Sequence, residues 1–514
     1  MSTSPRVAVA EAPAPARGKL RHLRWYICGL LFLATTINYL DRQSVGVLNP
    51  ILRAEIGWDD AGFGWVMFAF QLAYAIMFPI SGRLLDLFGV RRGLFWAVII
   101  WSFAAMAHAF ARTPFGFAVA RFALGVGEAA NFPASIKAIA EWFPRHERAL
   151  ATGIFNSGTN VGVMLSPLIV WLAVQWHWQA AFVVTGLTGL LWVFLWQWLY
   201  RSPQEHPRLT AEERALILKD SEPEVPAARV PWTAVLRYRQ AWAVLVGKML
   251  TDPVWWFYLY WLPSYLNRER GVSALTASVM LLYPYIAADV GSVGGGWLSG
   301  FLIKRGWPVG RARLLAMGIF ALCMPGAIWA VLTNDFWLAL SLISLATAAH
   351  QAWSANIFTL VSDMFPKTLV GSIVGLAGMA GAIGGMFMTL IAGGMLQWTG
   401  SYVPLFVLAG IMHPLAFGAI LFFAGRKLEP ADVGAGLKTG RSPVLIAAGG
   451  IMAVVGAGLA LVVVGNWDAI VAAARSLSAA AQGLTASIGV MLLGLALLYA
   501  GRGVAPGRDS RGRP

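Results

Sequence analysis

Four ionisable side chains stand inside stretches that are otherwise apolar, at spacings that place them on common helix faces. In the first stretch, Asn38, Asp41 and Arg42 fall at i, i+3 and i+4. In another, Arg121 and Glu128 are seven residues apart, which is two turns along one helix face. Charges in such surroundings are costly and mark a pathway more often than a requirement of folding. The pattern predicts a buried pocket with two bases and two acids.

Arg42 is the residue that we expect to bind an anionic ligand. Its guanidinium is planar, always protonated and able to meet a carboxylate with two parallel N–H donors. Lys248 is a second cation inside a later apolar stretch, from which it could reach the same ligand. Alternatively, Lys248 pairs with Asp252 at i+4 and only neutralises two buried charges. Both interpretations can hold in different states of the protein.

The two acids suit the movement of a proton. Proton coupling needs a carboxyl group whose proton affinity responds to burial, neighbouring charge and ligand. Asp41 and Glu128 fit this role, with Arg121 as a base beside them. A ligand carboxylate that takes over an arginine would release the acid to bind a proton. The alternative is a permanent pair of arginine and carboxylate that only holds two helices together.

The elements that position these residues must lie in a membrane. The 514 residues are 58% hydrophobic and 12% charged, and the mean hydropathy of +0.65 is too high for a water-exposed domain. The seven histidines have no metal-ligand spacing, and no GxSxG elbow or Gly-rich phosphate loop occurs, which argues against a membrane-embedded enzyme. Cys28 and Cys323 lie in apolar runs and form no CxxC motif. We expect no metal and no cofactor.

Fourteen apolar runs are long enough to cross a bilayer, because about 20 helical residues span its hydrocarbon core. The runs begin at Trp25, Ala61, Gly93, Phe115, Ala149, Trp178, Gln240, Ala274, Arg311, Phe336, Gly371, Tyr402, Pro443 and Leu484. The first run has a polar end and no small-residue cleavage pattern after it, so it is an anchor and not a signal peptide. The prediction is an all-α membrane protein of about 14 transmembrane helices.

The Lys and Arg residues are distributed unevenly over the loops. Of the 39, thirty fall in the tails and in the loops of one side, and five fall in loops of the other side. Cytoplasmic loops are enriched in these bases. The bias predicts that both termini are cytoplasmic, and it explains the net charge of +15 without nucleic acid as a partner.

The longest loop divides six spans from the next six, and it is rich in proline and in charges of both signs. It is typical of a linker. Gly82-Arg83-Leu84 after the second span and Gly296-Trp297-Leu298 after the eighth form a weak echo of two related halves, the architecture of secondary transporters, with chance similarity as the alternative. The predicted parts are an N-terminal tail (1–24), a six-helix bundle (25–200), a linker (201–239), a second six-helix bundle (240–427), a loop (428–442), a two-helix hairpin (443–501) and a tail (502–514).

Residues 82–92 have the sequence GRLLDLFGVRR. This segment resembles the loop motif between the second and third helices of the major facilitator superfamily, with Leu87 in place of the base that usually follows the aspartate. The resemblance to the superfamily covers roughly residues 20–427 and implies two six-helix bundles. Since such bundles end after twelve helices, the last two spans are interpreted as an accessory hairpin of unknown role.

Other motifs are more specific. NYLDR at 38–42, and Arg121 followed by GVGE at 125–128, resemble the anion:cation symporter family, which includes bacterial sugar-acid transporters. Segments 247–258 and 350–367 resemble the seventh and tenth helices of hexuronate transporters. The resemblance implies proton-driven uptake of glucuronate or galacturonate by a protein of the bacterial inner membrane. We expect a monomer whose partners are the organic anion, protons and the lipid bilayer.

A sugar acid also needs groups that read its hydroxyls and its apolar faces. Hydroxyls are read by hydrogen bonds, while the apolar faces of a sugar lie on aromatic rings. The candidates for binding, besides Arg42 and Lys248, are Tyr39, Tyr74, Gln351, Trp353 and Asn356.

Three residues are candidates for a gate. The resemblance of the loop motif implies that Asp86 and Arg91 belong to a cytoplasmic latch that opens when the bundles rock. Asp289 is ionisable at depth, and Gly291, Gly294 and Gly295 beyond it indicate a close helix contact, so it is a gating or packing group.

Two rival functions stay open. The cargo could be another organic anion, such as an aldonate, a dicarboxylate or an aromatic acid. A sensor that does not transport could use the same scaffold, although the presence of Asp41, Arg42, Arg121 and Glu128 together argues against it.

Overall fold

The structure, a computed structural model, describes residues 20–58, 60–219, 232–272, 279–426 and 428–431. These ranges are mostly helical, and within them the only strand-like pairing is a single bridge between Leu20 and Leu209. The predicted hairpin of residues 443–501 lies outside the described residues.

The described part of the first bundle contains nine α-helices. They are α1 (Leu23–Val47), α2 (Asn49–Ile56), α3 (Asp60–Phe88), α4 (Val90–Ala107), α5 (Pro114–Glu128), α6 (Asn131–Trp142), α7 (Arg145–Met164), α8 (Ser166–Gln175) and α9 (Trp178–Leu199). A short break separates α7 from α8, where a proline occupies the first turn of α8. Proline has no backbone N–H to donate inside a helix, so α7 ends before it and the proline lies in the first turn of α8.

The described part of the second bundle contains seven helices after the linker helix α10 (Ala211–Leu218). They are α11 (Arg239–Arg268), α12 (Leu282–Lys304), α13 (Val309–Cys323), α14 (Gly326–Leu332), α15 (Phe336–Met364), α16 (Lys367–Thr399) and α17 (Val403–Ala424). Nine helices or helix pairs of the described chain are long and apolar enough to cross a membrane. The chain is therefore a multi-pass membrane protein, as its composition predicts.

The two bundles meet mainly along two pairs of helices. α3 of the first bundle packs on α16 of the second, and α7 packs on α12. Large apolar side chains such as Trp96, Phe110 and Leu322 point outward and are more than half exposed, as expected where the surrounding solvent is lipid. Some of the polar side chains described below lie between the bundles, and others, such as the pair of Arg42 and Glu128, lie within one bundle.

The linker helix α10 is fastened to the start of α1. The carboxylate of Glu213 accepts hydrogen bonds from the backbone N–H groups of Leu23 and Arg24, at 3.0 and 3.2 Å. It also accepts from the guanidinium of Arg24 at 2.8 Å. Glu213 thus supplies the acceptor and the negative charge that the beginning of a helix needs.

Candidate functional site

Arg42 and Glu128 form a buried ion pair between α1 and α5. Nε and Nη2 of Arg42 both donate to Oε2 of Glu128, at 3.1 and 2.9 Å, and Nη2 also donates to Asn38 at 3.1 Å. Glu128 is fully buried, and its second oxygen, Oε1, has no hydrogen-bond partner in the described chain. The predicted acids and bases of these two helices are therefore neighbours, and Arg42 is the base that holds Glu128.

Aromatic rings surround the guanidinium of Arg42. Its Cζ lies 4.4 Å from the ring centre of Tyr39, 4.5 Å from that of Tyr74 and 5.0 Å from that of Phe70. Ring faces attract a cation and keep water away from it. This setting strengthens the interaction of Arg42 with any carboxylate that it meets.

Arg121 and Asp41 lie behind this pair. Nη2 of Arg121 donates to the backbone carbonyl of Arg42 at 2.7 Å, whereas its Nε and Nη1 have no described partner. Neither carboxylate oxygen of Asp41 makes a hydrogen bond of good geometry, although Thr185 lies beside it. Arg121 thus fixes the backbone of Arg42, and Glu128 is the acid with a direct partner.

Lys248 and Asp252 form a second pair, one turn apart on α11. Nζ of Lys248 lies 2.7 Å from Oδ1 of Asp252 and 4.0 Å from the ring centre of Phe358. This is the pairing that the i, i+4 spacing predicts as the alternative to ligand binding. It does not exclude that role, because Lys248 and Asp252 both line a cavity.

A cavity of about 70 Å³ lies between the two bundles. Its polar and aromatic lining consists of Tyr39, Arg42, Tyr74, Phe78, Phe132, Asn156, Thr159, Lys248, Asp252, Trp255, Trp256, His350, Gln351, Ser354 and Phe358. Glu128 is not part of the lining and stands behind Arg42. The volume suffices for a few water molecules, at about 10–15 Å³ each. Five of the seven predicted binding residues are therefore on one cavity.

Trp353 and Asn356 do not line this cavity. The ring of Trp353 packs against His413 inside the second bundle, with ring centres 5.5 Å apart. Asn356 donates to the backbone carbonyls of Gly295 and Ala352, at 3.0 and 2.9 Å. Both side chains connect helices of the same bundle, because they lie on a different face of α15 from Gln351.

Two amide bridges join the bundles beside the cavity. Asn156 on α7 donates to Gln351 on α15 at 2.7 Å. Asn160 on α7 donates to Asp289 on α12 at 2.6 Å. Asp289 thus contacts the opposite bundle, and its role as a gating or packing group stays a prediction. Of the glycines beyond it, Gly291 and Gly295 pack closely on α15, whereas Gly294 meets nothing within 4 Å and is not part of the predicted close contact.

Asp86 stands at the seam between α3 and α16. It accepts from Lys137 at 2.7 Å and from the backbone N–H groups of Gly371 and Ser372, at 3.1 and 2.6 Å. Arg91, expected in the same latch, donates instead to the carbonyl of Gln197 within the first bundle, at 3.1 Å. Asp86 meets Gly371 and Ser372, the fifth and sixth residues of α16, near the N-terminal end of that helix, where its dipole favours an anion.

A second group of charged residues lies beside the seam between α7 and α12 and joins α7 to α13 and α15. Arg313 donates to Asp363 at 3.0 Å and to the carbonyl of Arg145 at 2.9 Å, and Arg148 donates to the carbonyl of Ser362 at 2.6 Å. The bond from Arg313 to Arg145 and the bond from Arg148 to Ser362 join the two bundles, whereas the pair of Arg313 and Asp363 lies within the second bundle.

We call the end of the molecule that holds Asp86, Lys137, Arg148, Arg313 and Asp363 the basic end. It contains the loops predicted to be cytoplasmic, and its two bundles are in contact.

Glycines allow the close approach at the basic end. A Cβ built on Gly296 would lie 2.1 Å from the carbonyl oxygen of Ala149 across the seam, whereas one built on Gly294 would meet nothing within 4 Å. A contact of 2.1 Å is impossible for carbon and oxygen, so the bundles would have to move apart.

We expect Gly296→Leu to open the basic end and Gly294→Leu, on the exposed side of the same helix, to leave it closed. The readout is labelling by a maleimide of a cysteine placed at the buried position Thr152, with Cys28 and Cys323 replaced by serine. Labelling should be roughly tenfold faster in Gly296→Leu, as a shift of about 1.4 kcal/mol between two states would produce. Equal rates in the two leucine variants would contradict the closed seam.

The sequence prediction missed several residues at and beside the cavity. Asn156 and Thr159 line it, and Asn160 bonds Asp289 beside it. The three repeat at i, i+3 and i+4 on α7, the same spacing that singles out Asn38, Asp41 and Arg42, and this spacing could have found them. Other lining residues stand inside the segments that resemble hexuronate transporters without being singled out there. They are Trp255, Trp256, His350 and Ser354.

Two helical bundles around a polar cavity, with ion pairs held at membrane depth, define a secondary transporter. The sequence profile of the Major Facilitator Superfamily matches residues 31–389. The chain belongs to the Major Facilitator Superfamily, and it is a transporter and not an enzyme. The recognition based on the motifs is thereby confirmed.

The relatives include carriers of sugar acids. The hexuronate transporter of Escherichia coli (strain K12) is 32% identical over 421 residues, which cover 80% of this chain and 96% of the relative. The galacturonate transporter of Dickeya chrysanthemi is 32% identical over 317 residues, which cover 60% of this chain and 92% of the relative.

Solved structures share the fold. The proton:xylose symporter XylE superposes with a TM-score of 0.63 at 15% identity, covering 78% of this chain and 96% of XylE. The human organic anion transporter MFSD10 gives a TM-score of 0.59 at 14% identity, covering 77% of this chain and 99% of MFSD10. At these identities the comparison supports the two-bundle architecture and nothing finer.

Proposed function

We propose that the protein is a proton-coupled symporter that imports a sugar acid anion, preferentially a hexuronate such as glucuronate or galacturonate, by alternating access. The observation that carries this proposal is the pair of Arg42 and Glu128. Arg42 faces the cavity between the bundles, and Glu128 holds it from behind. The names of the relatives, a hexuronate transporter and a galacturonate transporter, support the class of cargo.

In the proposed cycle, the substrate carboxylate replaces Glu128 as the partner of Arg42. A proton binds to Glu128, whose Oε1 is free of other partners in the described chain, and the guanidinium becomes available. The substrate then accepts two parallel N–H bonds from Arg42. Tyr39 and Tyr74, which already lie against the guanidinium, would pack on the apolar face of the sugar.

The charge of the site explains why proton and anion would move together. The empty site holds one guanidinium and one carboxylate, and its charge is zero. The loaded site holds the guanidinium, a neutral acid and the substrate carboxylate, and its charge is again zero. A site with only the anion or only the proton carries an uncompensated buried charge, which is costly at this depth. Such a carrier would not reorient.

In this proposal, the closed basic end identifies the conformation of the alternating-access cycle that the structure represents. We place that end in the cytoplasm, together with both termini, because the Lys and Arg residues gather there. The present state then has its cytoplasmic side shut by Asp86, Lys137, Arg148, Arg313 and Asp363. The cavity would have to widen to admit a six-carbon sugar acid, since it now has room for only a few waters. We further propose a monomer in a bacterial inner membrane.

Lys248 favours a second candidate cargo. It is a cation on the opposite bundle from Arg42, and it lines the same cavity. A sugar acid with a carboxylate at each end could be held by both cations at once. A hexuronate, which has one carboxylate, would leave Lys248 to its pair with Asp252 or to a hydroxyl group.

Uptake by proteoliposomes tests the function. Labelled glucuronate should accumulate above its external concentration under an inward proton gradient, and a protonophore should abolish the accumulation. Galacturonate should compete strongly, and galactonate and galactarate should compete weakly. If galactarate competes better than galacturonate, the dicarboxylate is the cargo. Binding without gradient-dependent accumulation of any of these acids would remove the symport mechanism.

A further inference from the structure

Two buried histidines stand beside the cavity and have no part in the cycle described above. Nδ1 of His350 on α15 lies 3.1 Å from Nε2 of His413 on α17, and the two rings are 79° apart in orientation. His350 is 4% exposed and lines the cavity, whereas His413 is fully buried. We propose that His350 is a specificity-determining residue that donates a hydrogen bond to a hydroxyl oxygen of the substrate, and that His413 positions it. This inference rests on the proposed transport of sugar acids.

The surroundings hold both rings in one orientation. The indole of Trp255 stacks on His350, with ring centres 5.4 Å apart and planes 9° from parallel. Trp353 meets His413 edge-on, with ring centres 5.5 Å apart. Since Nδ1 of His350 is occupied by His413, the nitrogen of His350 that remains for the cavity is Nε2. Trp353, which is not part of the cavity wall, thus supports a residue that is.

The hydrogen bond between the rings fixes which nitrogen of His350 carries the proton. If His350 donated through Nδ1, His413 would keep its own proton on Nδ1, a buried atom that has no hydrogen-bond partner in the described chain. If His413 donates through Nε2, its Nδ1 holds only a lone pair. Buried N–H groups without an acceptor are rarer than acceptors without a donor. The second arrangement is therefore favoured, and it places an N–H at Nε2 of His350.

A donor at this place complements the charged groups of the cavity. Arg42 and Lys248 are suited to carboxylates, and Asp252 accepts hydrogen bonds only. A neutral N–H donor on the side of the cavity formed by the second bundle suits a hydroxyl oxygen, because a neutral acceptor can be bound without a charged partner. Discrimination between sugars depends on such polar contacts, because a polar group of the site loses its partner when the hydroxyl is absent.

The test compares glucuronate with its single-deoxy analogues, at C2, C3 and C4, as competitors of labelled glucuronate in proteoliposomes. In the native protein at least one analogue should compete roughly tenfold more weakly, the effect of losing one hydrogen bond. In His350→Phe, which keeps an aromatic ring against Trp255, that penalty should vanish for the same analogue. In His350→Gln, which keeps an N–H donor, it should largely persist.

Further variants distinguish a loss of substrate recognition by His350 from a general disruption of the structure. His413→Phe should reduce the same penalty, because His350 loses the partner that sets its proton, whereas His413→Gln, with an amide donor, should restore it. His206→Phe is the matched control: His206 is a buried histidine in the linker, where burial lowers its pKa, and its Nε2 bonds the carbonyl of Leu199. The penalty should be unchanged in this control.

The results distinguish the inference from the function on which it rests. If the native protein takes up no sugar acid, the proposed function fails. If it takes up glucuronate and every deoxy penalty is the same in His350→Phe as in the native protein, the role of His350 is refuted. An unchanged penalty in His413→Phe, with loss in His350→Phe, would refute only the positioning role of His413.

Discussion

Replacing Glu128 by glutamine should abolish gradient-driven accumulation of substrate and leave exchange of labelled for unlabelled substrate nearly intact. Glutamine has the shape of a protonated glutamate but cannot release or bind the coupled proton. Arg42 would lose the carboxylate that receives two of its N–H bonds, and would be permanently available to a substrate. A carrier in that state reorients only when an anion is bound, which permits exchange and prevents net uptake.

The measurement is uptake by proteoliposomes under an inward proton gradient, beside counterflow without a gradient. Accumulation by Glu128→Gln should fall to the level of empty vesicles, and counterflow should stay within about fivefold of the native rate, the effect of about 1 kcal/mol. Glu141→Gln is a control, since Glu141 accepts from Tyr200 outside the cavity. If Glu128→Gln still accumulates substrate, the coupling role passes to Asp41, for which Asp41→Asn is the corresponding variant.

Replacing Arg42 by alanine should weaken substrate binding by about 100-fold, because removal of one member of a buried, hydrogen-bonded charge pair costs about 2–5 kcal/mol. The variant removes the fork that the substrate carboxylate needs, and it also leaves Glu128 buried without its partner. Arg42→Lys should give an intermediate affinity, because a lysine keeps the charge but not the two parallel donors.

Calorimetric titration of glucuronate into detergent-solubilised protein provides the affinities. The double variant Arg42→Ala, Glu128→Ala should recover thermal stability, because no buried carboxylate is left unpaired, but it should not recover binding. Arg112→Ala is the control, since Arg112 is exposed and away from the cavity, where it donates hydrogen bonds to the carbonyls of Ala109 and Ala111 and lies over the ring of Trp178. Native affinity in Arg42→Ala would exclude this residue as the anion site.

The positions of the helices could be predicted from the sequence, because hydrophobic runs of membrane length leave few alternatives. The run predicted from Trp25 is α1, which begins at Leu23, and the run predicted from Tyr402 is α17, which begins at Val403. The spans predicted at Pro443 and Leu484 lie outside the described residues and stay predictions. The local pairing of Lys248 with Asp252 was likewise accessible, since it depends only on helical spacing.

The partners across helices could not be predicted, because they depend on how the helices rotate against one another. Glu128 could meet Arg121 on its own helix or Arg42 on another, and only packing decides for Arg42. On α15, Gln351 and Ser354 face the cavity while Trp353 faces away. Every residue of α15 from Ala349 to Met364 is buried, so this stretch has no lipid-facing stripe that would reveal which face meets the cavity.

The bond from Glu213 to the start of α1 has a mechanical consequence for the linker. Three donors from Leu23 and Arg24 fasten α10 to the first bundle, and Arg24 is tied in turn to Glu147 on α7 at 2.8 Å. When the two bundles move relative to each other, α10 should therefore move as one rigid body with the first bundle. The segment that connects the two bundles is therefore shorter than the predicted linker (201–239). It starts after Leu218, where α10 ends, because α10 itself is bound to the first bundle.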